Sequence, residues 1–440
     1  MFKPPRGTRD FLPEEMIKRN RVLDTVKRVF ESYGYDPLGT PAFESLEMLK
    51  LKSGEDVIDQ IYYFKDKSDR ELGLRFEMTA SMARVVASKR DLQLPFKRYA
   101  IGPCWRYERP EPGRFREFYQ ADVDIVGSDS PMSDAEVIAV AVDCLRALGF
   151  NEFQVRINDR RMLKAFMETI GISGEKSLDV FRALDKLDKV GKEEVMKLLE
   201  ALGIDANTSE RLLEITSPKG SPETILEEAK LLLSDKEAYQ DVCESLSGIV
   251  EYAESFGFSQ YVTIDLSLAR GLDYYTGLVF EVSLGERVGS VAGGGRYDRL
   301  IELYGGRPTP ATGISLGIER LTTLLEQRGF FEPVNTVTQV FVASLSSARK
   351  EAAGIARRLR EAGLCVDMDL MERSLTNQLE YVDKKGISLT VIVGEKELRE
   401  GCVALRDMKE KRQVNVKLED LVDKIKEQMR PREEITKPLS

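Results

Sequence analysis

The sequence contains no histidine at all. That absence excludes a Ser-His-Asp triad, a Cys-His nucleophile pair and any imidazole metal ligand. Cysteine is scarce and scattered: Cys104, Cys144, Cys243, Cys365 and Cys402 are odd in number and include no Cys-x-x-Cys pair. Neither a disulfide framework nor a zinc ribbon is supported, and the five read as small buried hydrophobes in a reducing compartment. No apolar run approaches the ~20 residues that span a bilayer. Residues 1–10 lack an apolar h-region, so no secretory signal is expected and the cytoplasm is the expected location. Basic charge is not in excess either, since 65 Lys and Arg face 74 Asp and Glu for a net charge of −9. This argues against a nonspecific nucleic-acid binder and leaves local basic patches open.

What remains for chemistry is carboxylate, Arg, Lys, Tyr and a bound metal ion. Reactions governed by positioning and charge stabilisation suit that set, with phosphoryl or nucleotidyl transfer foremost. At 440 residues, 42% of them hydrophobic and 32% charged, the chain is an ordinary globular sequence too long for one core, so two or three domains are expected.

Residues 14–32 have helical periodicity, closed by Gly34, and 35–41 read as extended. Residues 82–89 form a short helix. Residues 98–106 and 116–126 read as two strands of a long hairpin around a polar loop. Helical periodicity rich in Lys, Glu and Leu then dominates from about residue 160 to 257, which suggests a helical insertion at about 165–255. Strand signals return at 261–268 and 278–284, and 313–325 reads as strand into helix. Residues 329–338 read as a linker. Beyond it, apolar strands at 340–345, 364–368 and 389–393 alternate with helices, as in a small α/β domain with a largely parallel sheet. The tail from about 430 reads as loose.

The hairpin is the most informative stretch. Alternation sends Tyr119, Ala121, Val123 and Ile125 to one face, and Gln120, Asp122 and Asp124 to the other. A polar row on a strand is most often a solvated face. Here the preceding strand puts Arg106 on a face with the small residues Cys104, Gly102 and Ala100, and the connecting loop carries Arg109, Arg114 and Arg116. Arginines beside a carboxylate floor suit phosphates held next to a cationic amino acid. The run Gly293-Gly294-Gly295 fits neither a Rossmann nor a Walker pattern, and by itself reads as a tight turn.

Several ordered segments carry a family resemblance. Arg106-Tyr107-Glu108-Arg109-Pro110, followed by residues 113–120, resembles motif 2 of the class II aminoacyl-tRNA synthetases in its histidyl form. Residues 313–321, Gly-Ile-Ser-Leu-Gly-Ile-Glu-Arg-Leu, resemble motif 3, and the stretch through Pro37 and Pro41 resembles motif 1. Residues 268–277 and 292–298 resemble the two histidine-specific motifs, Arg75-Phe76-Glu77-Met78-Thr79-Ala80 the amino-acid-contacting segment, and residues 6–10 the opening of that family. Tyr107 and Tyr119 stand where bacterial members commonly have histidine, which suggests an archaeal or eukaryote-like form.

The resemblance implies an α+β fold: an antiparallel class II sheet flanked by helices over residues 1–328, with the helical insertion, and an anticodon-binding α/β domain over 339–430. It implies a homodimer that activates L-histidine with ATP and Mg²⁺ and transfers it to the 3′ end of its tRNA. Arg106, Arg270 and Arg320 are the expected catalytic residues. Glu77, Thr79, Arg106, Gln120, Asp124, Arg270, Tyr274 and Tyr275 would line the histidine site, and Arg106, Glu108, Arg114 and Arg320 the ATP site. Glu77 and Thr79 would hold the α-amino group, Asp124 would accept a hydrogen bond from the imidazole, and the two tyrosines would close its pocket. No residue is assigned to the metal, which would arrive with ATP. The basic helix at 347–362, with Lys350, Arg357, Arg358 and Arg360, is open to phosphate contact. The alternative is the synthetase-like regulatory subunit of ATP phosphoribosyltransferase, whose members resemble the catalytic core but typically lack the anticodon domain.

Overall fold

The computed structural model describes residues 2–51, 58–89, 91–109, 115–172, 174–184, 186–217, 220–233, 239–268, 274–285, 289–331 and 335–429. They form two compact units, residues 1–9 with 22–323 and residues 10–21 with 324–440.

The strands of the first unit run in chain order β1 (Asp36–Pro37), β2 (Phe43–Ser45), β3 (Tyr63–Lys65), β4 (Glu71–Leu74), β5 (Phe96–Trp105), β6 (Glu117–Val126), β7 (Gln154–Asp159), β8 (Val262–Ile264), β9 (Leu278–Ser283), β10 (Ser290–Arg296) and β11 (Ala311–Gly317). Eight of them make one sheet in the order β1-β5-β6-β11-β10-β9-β7-β8, and β2-β4-β3 make a second. The large sheet is antiparallel from β5 to β7, as expected, whereas its rims pair in parallel, β1 with β5 and β7 with β8. The strand expected over 261–268 stops at Ile264, where Asp265 turns the chain by accepting the Ser267 amide and hydroxyl.

The glycine-rich run is a strand, β10, and not a turn. Its glycines pair with β9 on one side and with β11 on the other. Strand glycines mark places where another group approaches the backbone closely, and that is their use here.

Helix Pro131–Ala147 packs against this sheet with Val137, Ile138, Val140, Ala141, Cys144 and Leu145 buried. Between β7 and β8 the described chain is helical, from Arg160–Thr169 to Gln240–Ser255. Asp159, Asp205 and Ser221 cap helices there by accepting main-chain N–H groups, as short polar side chains do at N-termini. Part of this region has its own core around Leu163, Met167, Val180, Phe181, Val195 and Leu212.

The second unit holds β12 (Val340–Ser344), β13 (Val366–Met368), β14 (Leu389–Val393), β15 (Cys402–Asp407) and β16 (Arg412–Lys417), in the order β13-β12-β14-β15-β16. The expectation of a largely parallel sheet holds for β12 with β13 and β14 only, since β14-β15 and β15-β16 are antiparallel. The hairpin that makes the difference gave little sequence signal, because five of the six β16 residues are exposed. Cys104, Cys144 and Cys243 are buried as expected, whereas Cys365 is exposed and Cys402 half-buried.

Candidate active site

A cavity of about 440 Å³ opens on one face of the large sheet. The register builds its floor. On β6, Gln120, Asp122 and Asp124 alternate to one face, opposite Gly102, Ala100 and Arg98 on β5 and opposite Gly317, Ser315 and Gly313 on β11. Apart from Arg98 beside Asp124, the residues that flank the polar row are small.

The polar row is no solvated face. Asp122 is 3% exposed and Asp124 2%. Asp124 Oδ2 lies 2.5 Å from Arg98 Nη2, with the guanidinium fully buried, and Asp124 Oδ1 accepts the hydroxyl of Tyr297. Gly313 exists for this arrangement, because a Cβ there would lie 2.2 Å from Asp124 Oδ1 and 2.7 Å from the Val123 carbonyl. At Gly295 a Cβ would lie 2.4 Å from the Leu278 carbonyl and about 3 Å from the Tyr275 ring, so only glycine lets that ring lie on the sheet.

Asp122 is held differently. Burial, with Asp124 and Glu77 nearby, raises its carboxyl to about 7 against the pull of Arg98. Its Oδ1 is buried without a hydrogen-bond partner. Ser315 Oγ in turn accepts the Gln120 amide nitrogen at 2.8 Å, and Gln120 Oε1 is buried with no partner.

Glu77 precedes helix Thr79–Ser88 and is only 8% exposed, which sets aside its reading as a surface acid. One of its oxygens accepts the Thr79 N–H at 2.8 Å, the other the Ala80 N–H at 2.7 Å. The helix N-terminus thus fixes a carboxylate at the cavity wall. Arg75, in the same segment, is structural: it donates to the carbonyls of Pro103 and Thr40 and is buried.

Arginines line the cavity as well. Arg106 donates from Nε to the Phe76 carbonyl at 3.1 Å, and its guanidinium stacks 5.0 Å from the Phe118 ring. Arg320 donates to the Ser290 carbonyl. Glu108 and Glu319 also line the cavity, and Glu319 accepts the Tyr119 N–H at 2.7 Å. Tyr274 and Tyr275 close one side with ring centroids 4.3 Å apart. Arg160 fixes the main chain there by donating to the Tyr275 carbonyl. Glu77, Thr79, Arg106, Glu108, Gln120, Asp124, Tyr274, Tyr275 and Arg320 therefore all line one cavity. Arg114 and Arg270 lie outside the described residues, and Arg109 does not line the cavity.

Sequence reasoning left out Arg98, Asp122, Tyr297 and Ser315 as site residues. Asp122 shared the alternation already noted for its neighbours. Ser315 and Tyr297 lie in the segments 313–321 and 292–298 that carry the resemblance, without a role assigned there, and Arg98 reaches the site through strand pairing. The segment 292–298 proves largely a frame: Arg296 binds Asp134 at 2.9 Å and Asp298 at 3.1 Å, and Asp298 accepts the Ala311 N–H.

A family model described as histidyl-tRNA synthetase matches residues 7–321, and one described as an anticodon binding domain matches 339–428. A curated histidine–tRNA ligase from Pyrococcus abyssi is 41% identical over 432 residues, 97% of this chain and 99% of that one. One from Aeropyrum pernix is 45% identical over 426 residues, 96% and 97% of the two chains. The crystal structure of histidyl-tRNA synthetase from Nostoc sp. PCC 7120 is similar at a TM-score of 0.87 and 31% identity, covering 98% of this chain and 100% of that one. A structure described as an ATP phosphoribosyltransferase regulatory subunit/histidyl-tRNA synthetase from Bacillus halodurans C reaches a TM-score of 0.76 at 28% identity, covering 87% of this chain and 96% of that one.

Proposed function

The chain belongs to the histidyl-tRNA synthetase family, and from that premise we propose that its cavity joins L-histidine to ATP as histidyl-adenylate and then charges tRNA. Its activity is histidine–tRNA ligation, with ATP as a substrate. The observation that carries the assignment of the site is the polarity of the cavity. Glu77, Asp122 and Asp124, with buried Arg98 as a countercharge, share one cavity with Arg106 and Arg320. An ammonium and an imidazole suit the acidic floor, and a triphosphate suits the arginines.

In this reading Glu77, Thr79 and Gln120 take the α-amino group, and Asp124, Tyr274 and Tyr275 surround the imidazole. Buried acceptors beside the ring reject apolar side chains, which would leave them unpaired. The histidine carboxylate attacks the α-phosphorus of ATP in line, the P–O bond to the β-phosphate breaks, and pyrophosphate leaves. Arg106 and Arg320, with Arg270 and Arg114 on the family pattern, offset the charge that develops on the phosphoryl oxygens. The terminal hydroxyl of the tRNA then attacks the adenylate carbonyl and AMP leaves. No protein nucleophile is needed, so the lack of histidine is no obstacle.

Magnesium would enter with the nucleotide. Glu108 and Glu319 are the cavity carboxylates beside the arginines and suit a hard cation that keeps mostly phosphate and water oxygens. Bound there, it would neutralise phosphate charge. We further assign residues 1–328 to catalysis, 329–338 to a linker and 339–430 to anticodon reading, in a cytoplasmic homodimer. No described helix is long and apolar enough to cross a membrane.

The test is amino-acid-dependent ATP–pyrophosphate exchange across all twenty amino acids, with Arg106→Ala beside the wild type. Exchange with histidine alone, cut roughly 10²–10³-fold in the variant, is the expected result. Exchange with a different amino acid would overturn the specificity, and exchange with none would assign the chain to the synthetase-like regulatory subunits.

A further inference from the structure

Arg116 is one of the loop arginines whose charge suits phosphate, yet it does not line the cavity. Its guanidinium is engaged with main chain instead: Nε donates to the Glu108 carbonyl at 3.0 Å and Nη1 to the Arg6 carbonyl at 3.4 Å. It also lies over the Tyr107 ring, 4.1 Å from the centroid. The main chain of Arg116 is held on both sides, accepting the Arg106 N–H at 2.9 Å and donating to the Gly7 carbonyl at 2.8 Å. Residues 6–9 thus run beside the base of the hairpin, where Arg9 sets its guanidinium over the Phe115 ring at 4.4 Å.

These contacts fall on the outer side of an arm whose inner side is the site. Strand alternation continues past β5: Arg106 and Glu108 line the cavity, and Tyr107 between them is 54% exposed. Tyr107 is anchored again by its N–H to the Gln60 carbonyl at 2.8 Å and by edge-on contact with the Tyr62 ring. Holding the Tyr107 ring and the Glu108 carbonyl therefore sets where the inward side chains of Arg106 and Glu108 stand. A planar guanidinium can bond two carbonyls and cover a ring at once, which the compact ammonium of lysine cannot.

We propose that residues 6–9 form a strap for the nucleotide part of the site: through Arg116, a positioning residue, they fix the arm that carries Arg106 and Glu108 toward ATP. The proposal rests on the reading above that assigns those two residues to ATP. In this role Arg116 touches no substrate. A direct phosphate contact would need the guanidinium to leave both carbonyls, and it would not involve residues 6–9.

The experiment is histidine-dependent pyrophosphate exchange with wild type, Arg116→Ala, Arg116→Lys, a chain lacking residues 2–9, and that deletion combined with Arg116→Ala, measuring KM for ATP and for histidine. Arg116→Ala and the deletion should each raise KM for ATP about tenfold, the worth of one hydrogen bond from a charged group, with KM for histidine within about twofold of wild type. Arg116→Lys should lose nearly as much as alanine. Because strap and arginine act along one chain of contacts, the combined variant should lie within about threefold of the worse single one. A deletion that leaves KM for ATP unchanged, recovery by lysine, equal rises in both KM values, or losses that multiply would each overturn the proposal. Should the deletion not fold, removal of residues 2–7, which still takes away both accepting carbonyls, decides by the same criteria; failure of both to fold would make the segment part of the fold and not of the site. A wild type without histidine-dependent exchange would remove the functional reading itself, while normal wild-type exchange with indifferent variants removes this inference alone.

Discussion

Asp122 and Asp134 are buried acids with carboxyls raised to about 7 and about 6, in each case chiefly by burial and against the pull of a neighbouring arginine, Arg98 or Arg296. The consequence for stability follows from proton counting. Between the ordinary carboxylate range near pH 4 and the raised values, the folded chain binds more protons than the unfolded one, so stability falls as pH rises through that window. Asp122→Asn removes one of the two contributions. The variant should therefore gain stability relative to wild type on going from pH 4.5 to pH 8, by roughly 2–4 kcal/mol. Urea melts of the two proteins at both pH values measure it, and parallel pH dependences would contradict it. Asp124 differs because its two oxygens are matched by Arg98 and Tyr297. Removing the countercharge with Arg98→Met should leave the buried carboxylate uncompensated and cost about 3–5 kcal/mol by chemical denaturation.

At the scale of elements, the site is a product of strand register. β6 supplies the acids, and β5, β10 and β11 keep the space above them clear with Ala100, Gly102, Gly293, Gly295, Gly313 and Gly317. These glycines are not equivalent. A Cβ at Gly313 would press on the Asp124 carboxylate and the Val123 carbonyl at 2.2 and 2.7 Å, whereas at Gly317 the nearest atom would be the Val291 carbonyl at 3.6 Å. Gly313→Ala should lower stability by about 1–3 kcal/mol or more, with Gly317→Ala within about 1 kcal/mol of wild type. Equal losses would mean that generic strand entropy, and not close approach, sets the requirement. The same register explains what the sequence made legible. Period-two alternation in residues 116–126 placed Gln120 and Asp124 on one face, and the motif segments placed Glu77, Arg106, Tyr274 and Arg320 in one site by resemblance. Arg98 stayed hidden, and Ser315, though inside a motif segment, carried no role, because which residue stands opposite Asp122 or Asp124 depends on strand pairing. The glycine run read as a turn for a related reason: locally, strand glycines that make room for a neighbour look the same as turn glycines. β16 failed by another route, being too exposed to show an apolar face.

The whole molecule divides its work between cores that share no residues. In the second unit, Val340, Val342, Leu389, Val391, Leu405 and Ile425 belong to one buried cluster, and Phe341, Ala343, Val382 and Ile387 belong to another. Successive residues of β12 alternate between the two, so the sheet is covered on both faces. Helices Arg349–Glu361 and Leu421–Gln428 supply one cover and helix Leu375–Lys385 the other. Every buried residue of both clusters lies between Val340 and Ile425. Residues 10–21 group with this unit and include the half-exposed pair of Lys18 with Glu326 at 3.3 Å. Ion pairs of that exposure are worth about 0–1 kcal/mol. A fragment spanning residues 337–429 retains both clusters and is large enough to stand alone, since domains of 60 or so residues already do. It should therefore unfold in a single cooperative transition with a stability of about 5 kcal/mol, measured by circular dichroism in urea. A broad, non-cooperative melt would mean that the segment at 10–21, or the linker before the fragment, holds the sheet together. Cooperative unfolding would instead make the unit that matches the anticodon-binding family a self-sufficient module, whose surface arginines can be varied for tRNA charging without disturbing histidine activation.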